Sequence, residues 1–192
     1  LKDMEKACQR LLLALKNKEK ICIYGDYDVD GVSSTALLMT VFTKLGFNID
    51  YYLPDRHSEG YGLHIESLLK LIPKYDLLIT VDCGITALDE VDYAKDKIDM
   101  IITDHHLPRD ILPDAFAIIN PTQTQSKYPN KNLCGVGVAF KLCQGLYQSL
   151  NKDIHELENY LDIVALDTIA DIDPLVDENR RIVKKGLANI QN

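Results

Sequence analysis

The chain has 192 residues, of which 46% are hydrophobic and 26% charged, with a formal net charge of −8. That length suits one core with a small appendage, and the composition is ordinary for a globular domain. No apolar run approaches the roughly 18 residues of a membrane-spanning helix, no signal peptide is expected from the charged first turns, and the acidic balance argues against nucleic-acid binding by bulk charge.

Five cysteines (Cys8, Cys22, Cys83, Cys134, Cys143) form no C-x-x-C pair. Buried reduced thiols and a cytoplasmic location are therefore expected, rather than a zinc ribbon or a disulfide framework. A first residue of Leu1 leads us to expect a piece of a longer polypeptide.

Leu1, Met4, Cys8, Leu11, Leu12 and Leu15 recur at helical spacing and predict an amphipathic helix over 1–16. The apolar run 21–24 predicts a strand. It leads into Gly25-Asp26-Tyr-Asp28-Val-Asp30-Gly31, read as a tight turn carrying three carboxylates, and then a helix over 33–45 stopped by Gly46. Carboxylates this close repel one another, and a hard divalent cation with oxygen ligands removes the conflict. A strand over 48–53 ends at Pro54, and a helix over 64–72 is closed by Pro73.

The run 76–81 is almost continuously apolar, as in a strand buried on both faces, and it ends in Asp82-Cys-Gly84. A helix over 86–96 follows. Next come a strand over 100–103 ending in Asp104-His105-His106 and a short strand over 116–119 ending in Asn120-Pro121. Residues 122–132 are a polar connection. Beyond them, 136–150, 154–169 and 180–190 are three helical patterns with no strand between them. This alternation predicts an α/β fold: a mainly parallel, doubly wound sheet with helices on both faces and a C-terminal helical extension. We expect one domain over 1–192, with the sheet in 1–121 and the helical extension in 122–192.

Three predicted strands thus end in acids or imidazoles. A lone aspartate after a strand is usually a helix cap or a turn residue. Three such groups at successive strand ends are less easily accidental, because the carboxyl ends of the strands form the ligand crevice of an open α/β sheet. Oxygen ligands with one or two imidazoles suit manganese or a similar ion. Two ions sharing a bridging carboxylate can clamp a phosphoryl group during in-line displacement, and Asp82 is the expected bridge. Adjacent His105 and His106 cannot easily both face one ion, so one is expected to ligate and the other to support it or to reach a substrate phosphate.

Asp26-Tyr-Asp28-Val-Asp30-Gly31, Val81-Asp-Cys-Gly84 and Thr103-Asp-His-His106 resemble the first three motifs of the DHH phosphoesterases. Within that family the resemblance is closest to the RecJ branch of single-strand-specific 5′→3′ DNA exonucleases. Pro54-Asp-Arg56, Gly60-Tyr-Gly-Leu63, Asn120-Pro121 and Gly135-Val-Gly-Val-Ala-Phe140 fit that branch, and Val164-Ala-Leu-Asp-Thr-Ile-Ala-Asp171 resembles the fourth motif.

The resemblance implies a DHH phosphoesterase fold and hydrolysis of phosphodiester bonds, with a hydroxide activated by two divalent cations. Manganese is preferred and magnesium possible in such enzymes, and a role in DNA repair and recombination is implied. Carried over by position, Asp26, Asp28, Asp30, Asp82, His105 and Asp171 are implied metal ligands. Asp104 is implied to orient His105, His106 to contact the scissile phosphate, and Arg56 to meet a nucleic-acid phosphate. Single-stranded DNA is the implied partner, and single-strand-binding protein is one the family suggests.

Two features depart from the pattern. Asp167 stands where the branch usually has glycine, and Asp173 where it has an apolar residue; Asp167 is expected either to add a supporting acid or to repel Asp171. A second, DHH-associated domain that closes over DNA is expected to be absent from this piece. The alternatives are a DHH enzyme acting on short oligonucleotides, phosphoadenosine phosphate or cyclic dinucleotides, and a non-catalytic scaffold of the same fold.

Overall fold

The computed structural model describes residues 1–190, so the last two positions of the expected helical extension lie outside the described residues. The apolar and β-branched runs become five strands: β1 (Lys20–Tyr24), β2 (Asn48–Tyr52), β3 (Leu77–Val81), β4 (Asp99–Thr103) and β5 (Ala117–Ile119). They form one sheet in the order β2-β1-β3-β4-β5, and every pairing is parallel. The order reverses direction between β1 and β3. Connections leave toward opposite faces there and open a crevice at the carboxyl ends of the strands.

Seven helices cover the sheet: α1 (Met4–Asn17), α2 (Val29–Lys44), α3 (Ile65–Leu71), α4 (Leu88–Ala94), α5 (Gly135–Ser149), α6 (Leu161–Ala170) and α7 (Asp177–Asn189). Strand alternation assigns each its face. Ile21, Ile23, Leu77, Ile79 and Ile101 pack with Leu11 of α1, Phe42 of α2 and Leu142 of α5. Cys22, Tyr24, Leu78 and Ile102 point the other way, against Leu68 of α3 and Val91 of α4. All of β3 is buried, which explains why its sequence is apolar without alternation. Arg10 of α1, itself buried, reaches Glu19 and Asp99, each at 2.6 Å, and so ties the helix to the starts of β1 and β4.

Helix α1 starts three residues later than expected and α4 is shorter at both ends, and three other differences are instructive. Helix α2 begins at Val29 rather than at 33, because Asp28 caps it: its carboxylate accepts from Gly31 N at 2.9 Å. Asp30 is therefore not a turn residue but lies in the first turn of a helix. The expected single helix over 154–169 is divided into a 3₁₀ segment, Ile154–Tyr160, and α6. The 3₁₀ segment buries only Leu157, too little to impose an α-helical face. Helix α7 starts three residues earlier than its apolar pattern, with Asp177 and Glu178 favourably placed in the first turn. All five cysteines are free and buried. Among the described residues no helix is long and apolar enough to cross a membrane.

Candidate metal centre

The crevice between the ends of β1 and β3 collects the acids singled out above. Asp26 follows β1 and is fully buried; its Oδ1 accepts from Tyr27 N at 2.6 Å, while Oδ2 has no partner. Two turns of chain cross closely here. A Cβ on Gly31 would lie 2.4 Å from Asp26 N, so glycine is required by proximity of backbone rather than by a left-handed conformation. Asp30 reaches across the fold: its Oδ2 accepts from Gly135 N at 2.6 Å and its Oδ1 from Val136 N at 2.7 Å, at the start of α5.

Asp82 follows β3 with φ of 60°, a left-handed conformation that a non-glycine residue adopts at some cost. Its N–H donates to Thr103 O at 3.0 Å, which holds the bend against the end of β4. Its side chain is 1% exposed, and neither carboxylate oxygen has a hydrogen-bond partner. His105 Nε2 stands 3.2 Å from Asp82 Oδ1 and 3.4 Å from Asp30 Oδ2. Two groups of side chains close enough to share an ion result: Asp82 with His105 and His106, and Asp30 with His105 and Asp171.

Burial pushes Asp82 up to about 8; the neighbouring Asp30 and Asp28 carboxylates add to this, and the His105 imidazole opposes it. Burial alone would lower His105, but Asp82, Asp30 and Asp104 outweigh it and raise the imidazole to about 9. Asp26 and Asp171 are also raised, chiefly by burial and by the carboxylates around them. Among the described residues no lysine or arginine pairs with any of these acids. Buried carboxylate oxygens without donors, crowded with like charge and faced by imidazole, fit divalent cations that choose oxygen and nitrogen ligands.

Asp104 departs from its expected part. Its Oδ1 lies 2.8 Å from His106 Nδ1 and also accepts from the backbone N–H groups of His105 and His106, while Oδ2 accepts from Ile85 N at 2.9 Å. The ring it orients is that of His106, not His105. Burial would raise Asp104, but His106 and these backbone donors overcome it and hold the carboxyl below its usual value. His106 faces a cleft of about 930 Å³ that Tyr61, His64, Thr86, Leu107 and Arg109 also line.

Asp26 and Asp28 belong to neither close group, although the Asp28 charge is felt at Asp82 and Asp171. Arg56 is exposed, with its guanidinium carbon 5.5 Å from the Tyr27 ring centre, and does not join the acids. Asp167 meets Asp30 and Cys134. Asp173 is raised to about 6 by burial and by Asp171.

Two contributors carry no role in the sequence reading. Tyr61 places its hydroxyl 3.3 Å from His106 Nε2 and 3.4 Å from Asp82 O. Its sequence signal is its place in the stretch Gly60-Tyr-Gly-Leu63, in which both glycines have positive φ. The backbone amides of Gly135 and Val136 carry no side-chain signal at all.

Comparison with known proteins identifies the chain's family and its relatives. Residues 20–168 match the model of the DHH family, N-terminal domain. The chain is 45% identical over 193 residues to the single-stranded-DNA-specific exonuclease RecJ of Bacillus subtilis, covering 100% of this chain and 24% of that protein. A crystal structure of exonuclease RecJ bound to manganese superposes with a TM-score of 0.90 at 36% identity, over 98% of this chain and 48% of the other. RecJ of Thermus thermophilus in complex with Mn2+ gives 0.86 at 34% identity, over 99% of this chain and 27% of the other. This chain thus spans about a quarter of the curated relative's length.

Proposed function

We propose that this chain, which belongs to the DHH family, hydrolyses phosphodiester bonds as the metal-holding part of a single-stranded-DNA exonuclease working 5′→3′. The observation that carries this reading is Asp82, whose two buried oxygens lack any donor while His105, His106 and Asp30 gather round it. The manganese in the two RecJ structures and the 45% identity to an exonuclease of stated single-strand specificity support it.

In this reading Asp82, Asp26, Asp28, Asp30, His105 and Asp171 would hold two divalent ions, manganese above all, with Asp82 as the ligand they would share. Bound there, such ions activate water and offset the charge that grows on the scissile phosphate. His106 is held through Nδ1 by Asp104, which fixes the ring so that it can meet a phosphate oxygen across the cleft. Arg56, free of carboxylate partners among the described residues, is available to a phosphate farther along the strand.

In this reading residues 1–121 supply the sheet and most of the ligands, and the described residues from 122 to 190 the helical extension that brings Asp171. With a net charge of −8, this piece relies on the rest of a longer protein to grip DNA. The test is manganese-dependent digestion of end-labelled single strands by the full-length protein. We expect mononucleotides released from the 5′ end and resistance of a blunt duplex of the same sequence. Preference for dinucleotides over long strands would transfer the chemistry to a small-substrate enzyme, and absence of any metal-dependent cleavage would overturn the reading.

A further inference from the structure

Asp30, Cys134 and Asp167 also bring one ligand atom each to within 4.8 Å of one another, and all three residues are buried. Asp167, on α6, is 0% exposed, and neither of its carboxylate oxygens has a hydrogen-bond partner. An acid in that position is costly unless something positive or a donor meets it. Among the described residues no lysine or arginine pairs with Asp167 or Asp30.

We propose that Asp30, Cys134 and Asp167 form a further cation site, buried inside the domain and distinct from the two groups that His105 joins. The ligand is a borderline divalent ion of the zinc class. One thiolate with two carboxylates selects such an ion over magnesium or manganese, for which a soft thiolate is a poor ligand. Ligand atoms about 2.0–2.3 Å from one tetrahedral ion lie about 3.3–3.7 Å apart, so from a spacing of up to 4.8 Å the three side chains must close in on the ion as it binds.

The surroundings are suited to hold the anionic ligands. Each Asp30 oxygen accepts one backbone N–H and keeps a lone pair free. Burial pushes the Cys134 thiol well above its usual value and the Asp30 and Asp167 carboxylates add to this, so the ion has to displace the thiol proton. The residue precedes the first turn of the 15-residue helix α5, whose partial positive charge would help to hold the thiolate once formed. The Thr168 hydroxyl lies 3.3 Å from its sulfur and 2.6 Å from Val164 O, so a rotation of the O–H can turn its proton from the carbonyl to the thiolate. Shared Asp30 would couple this ion to the hydrolytic centre, but the site rests on these three side chains and not on the nuclease reading.

The test strips the reduced full-length protein with chelator and titrates it with cobalt(II). A thiolate-to-cobalt charge-transfer band in the near ultraviolet is expected, its full amplitude that of one thiolate-bound ion per chain, and abolished by zinc. Cys134→Ser and Asp167→Asn should each lose it while keeping the wild-type circular dichroism. Cobalt binding without a thiolate band, or a band undiminished in Asp167→Asn, overturns the proposal. If either variant fails to fold, X-ray absorption of the zinc-loaded wild type decides: one sulfur among oxygen neighbours is required, and an absence of sulfur refutes the site.

Discussion

His105 Nε2 stands 3.2 Å from Asp82 Oδ1, joining the ends of β4 and β3 through two side chains whose proton affinities are both raised. Neither group has a basic residue to balance the cluster, so the pair is stable only while something positive, a proton or a cation, sits among these acids. Replacing Asp82 by Ala should lower phosphodiesterase activity of the full-length protein by more than about 100-fold, with circular dichroism unchanged. Activity within a few-fold of wild type, measured with manganese, would refute the bridging role.

The same shifts dictate how the metal-free protein responds to pH. Asp82 binds its proton more tightly folded than unfolded, so its contribution favours folding at low pH and is lost as pH rises toward about 8. His105 acts in the same sense, its contribution being complete below the unfolded value near 6.5 and lost as pH passes about 9. The melting temperature in chelator should therefore fall between pH 5 and pH 8, and manganese should reduce or reverse that fall. A metal-free melting temperature that rises over this interval would contradict the assignment.

Asp104→Asn tests the positioning of His106. The substitution keeps the shape of the side chain but removes the charge that faces Nδ1 at 2.8 Å. A loss of about 10–100-fold in kcat is expected, with manganese affinity by calorimetry nearly unchanged. An equal loss of metal binding would instead make Asp104 part of the ion's support.

Away from the crevice, Arg10 is the most consequential charge. It is buried and bonded to two carboxylates, so Arg10→Ala leaves Glu19 and Asp99 facing each other without their cation. Denaturant unfolding should show a loss of about 2–3 kcal/mol, less than for a fully buried pair because Asp99 is partly solvated. A loss below about 0.5 kcal/mol would mean that the network is ornamental to stability.

Much of this architecture was legible from residue pattern. The unalternating run 76–81 marks β3 as central, and Gly46 marks the end of α2. The placement of Asp82, Asp104 and the histidines at strand ends followed from the strands alone, because chain direction puts those ends on one edge. What sequence did not disclose depends on side-chain direction and on distance in space. Asp104 adjoins both histidines in the chain, and only the fold decides which ring it meets. Asp28 shows the reverse limit: the same carboxylate that suits a cation also suits a helix cap, and its Oδ1 caps α2, a use that the acidic pattern did not reveal. The amides that hold Asp30 were invisible because backbone N–H groups are common to every residue type except proline.

Those amides have a use that follows from where they sit. Gly135 N and Val136 N donate to the carboxylate of a residue more than a hundred positions earlier in the chain. Their hydrogens are thus natural reporters of Asp30's occupancy, readable by isotope exchange or by nuclear magnetic resonance without any label at the crevice. A cation drawing on Asp30 weakens its hold on both donors at once, so loading would be heard as a paired change at the start of α5.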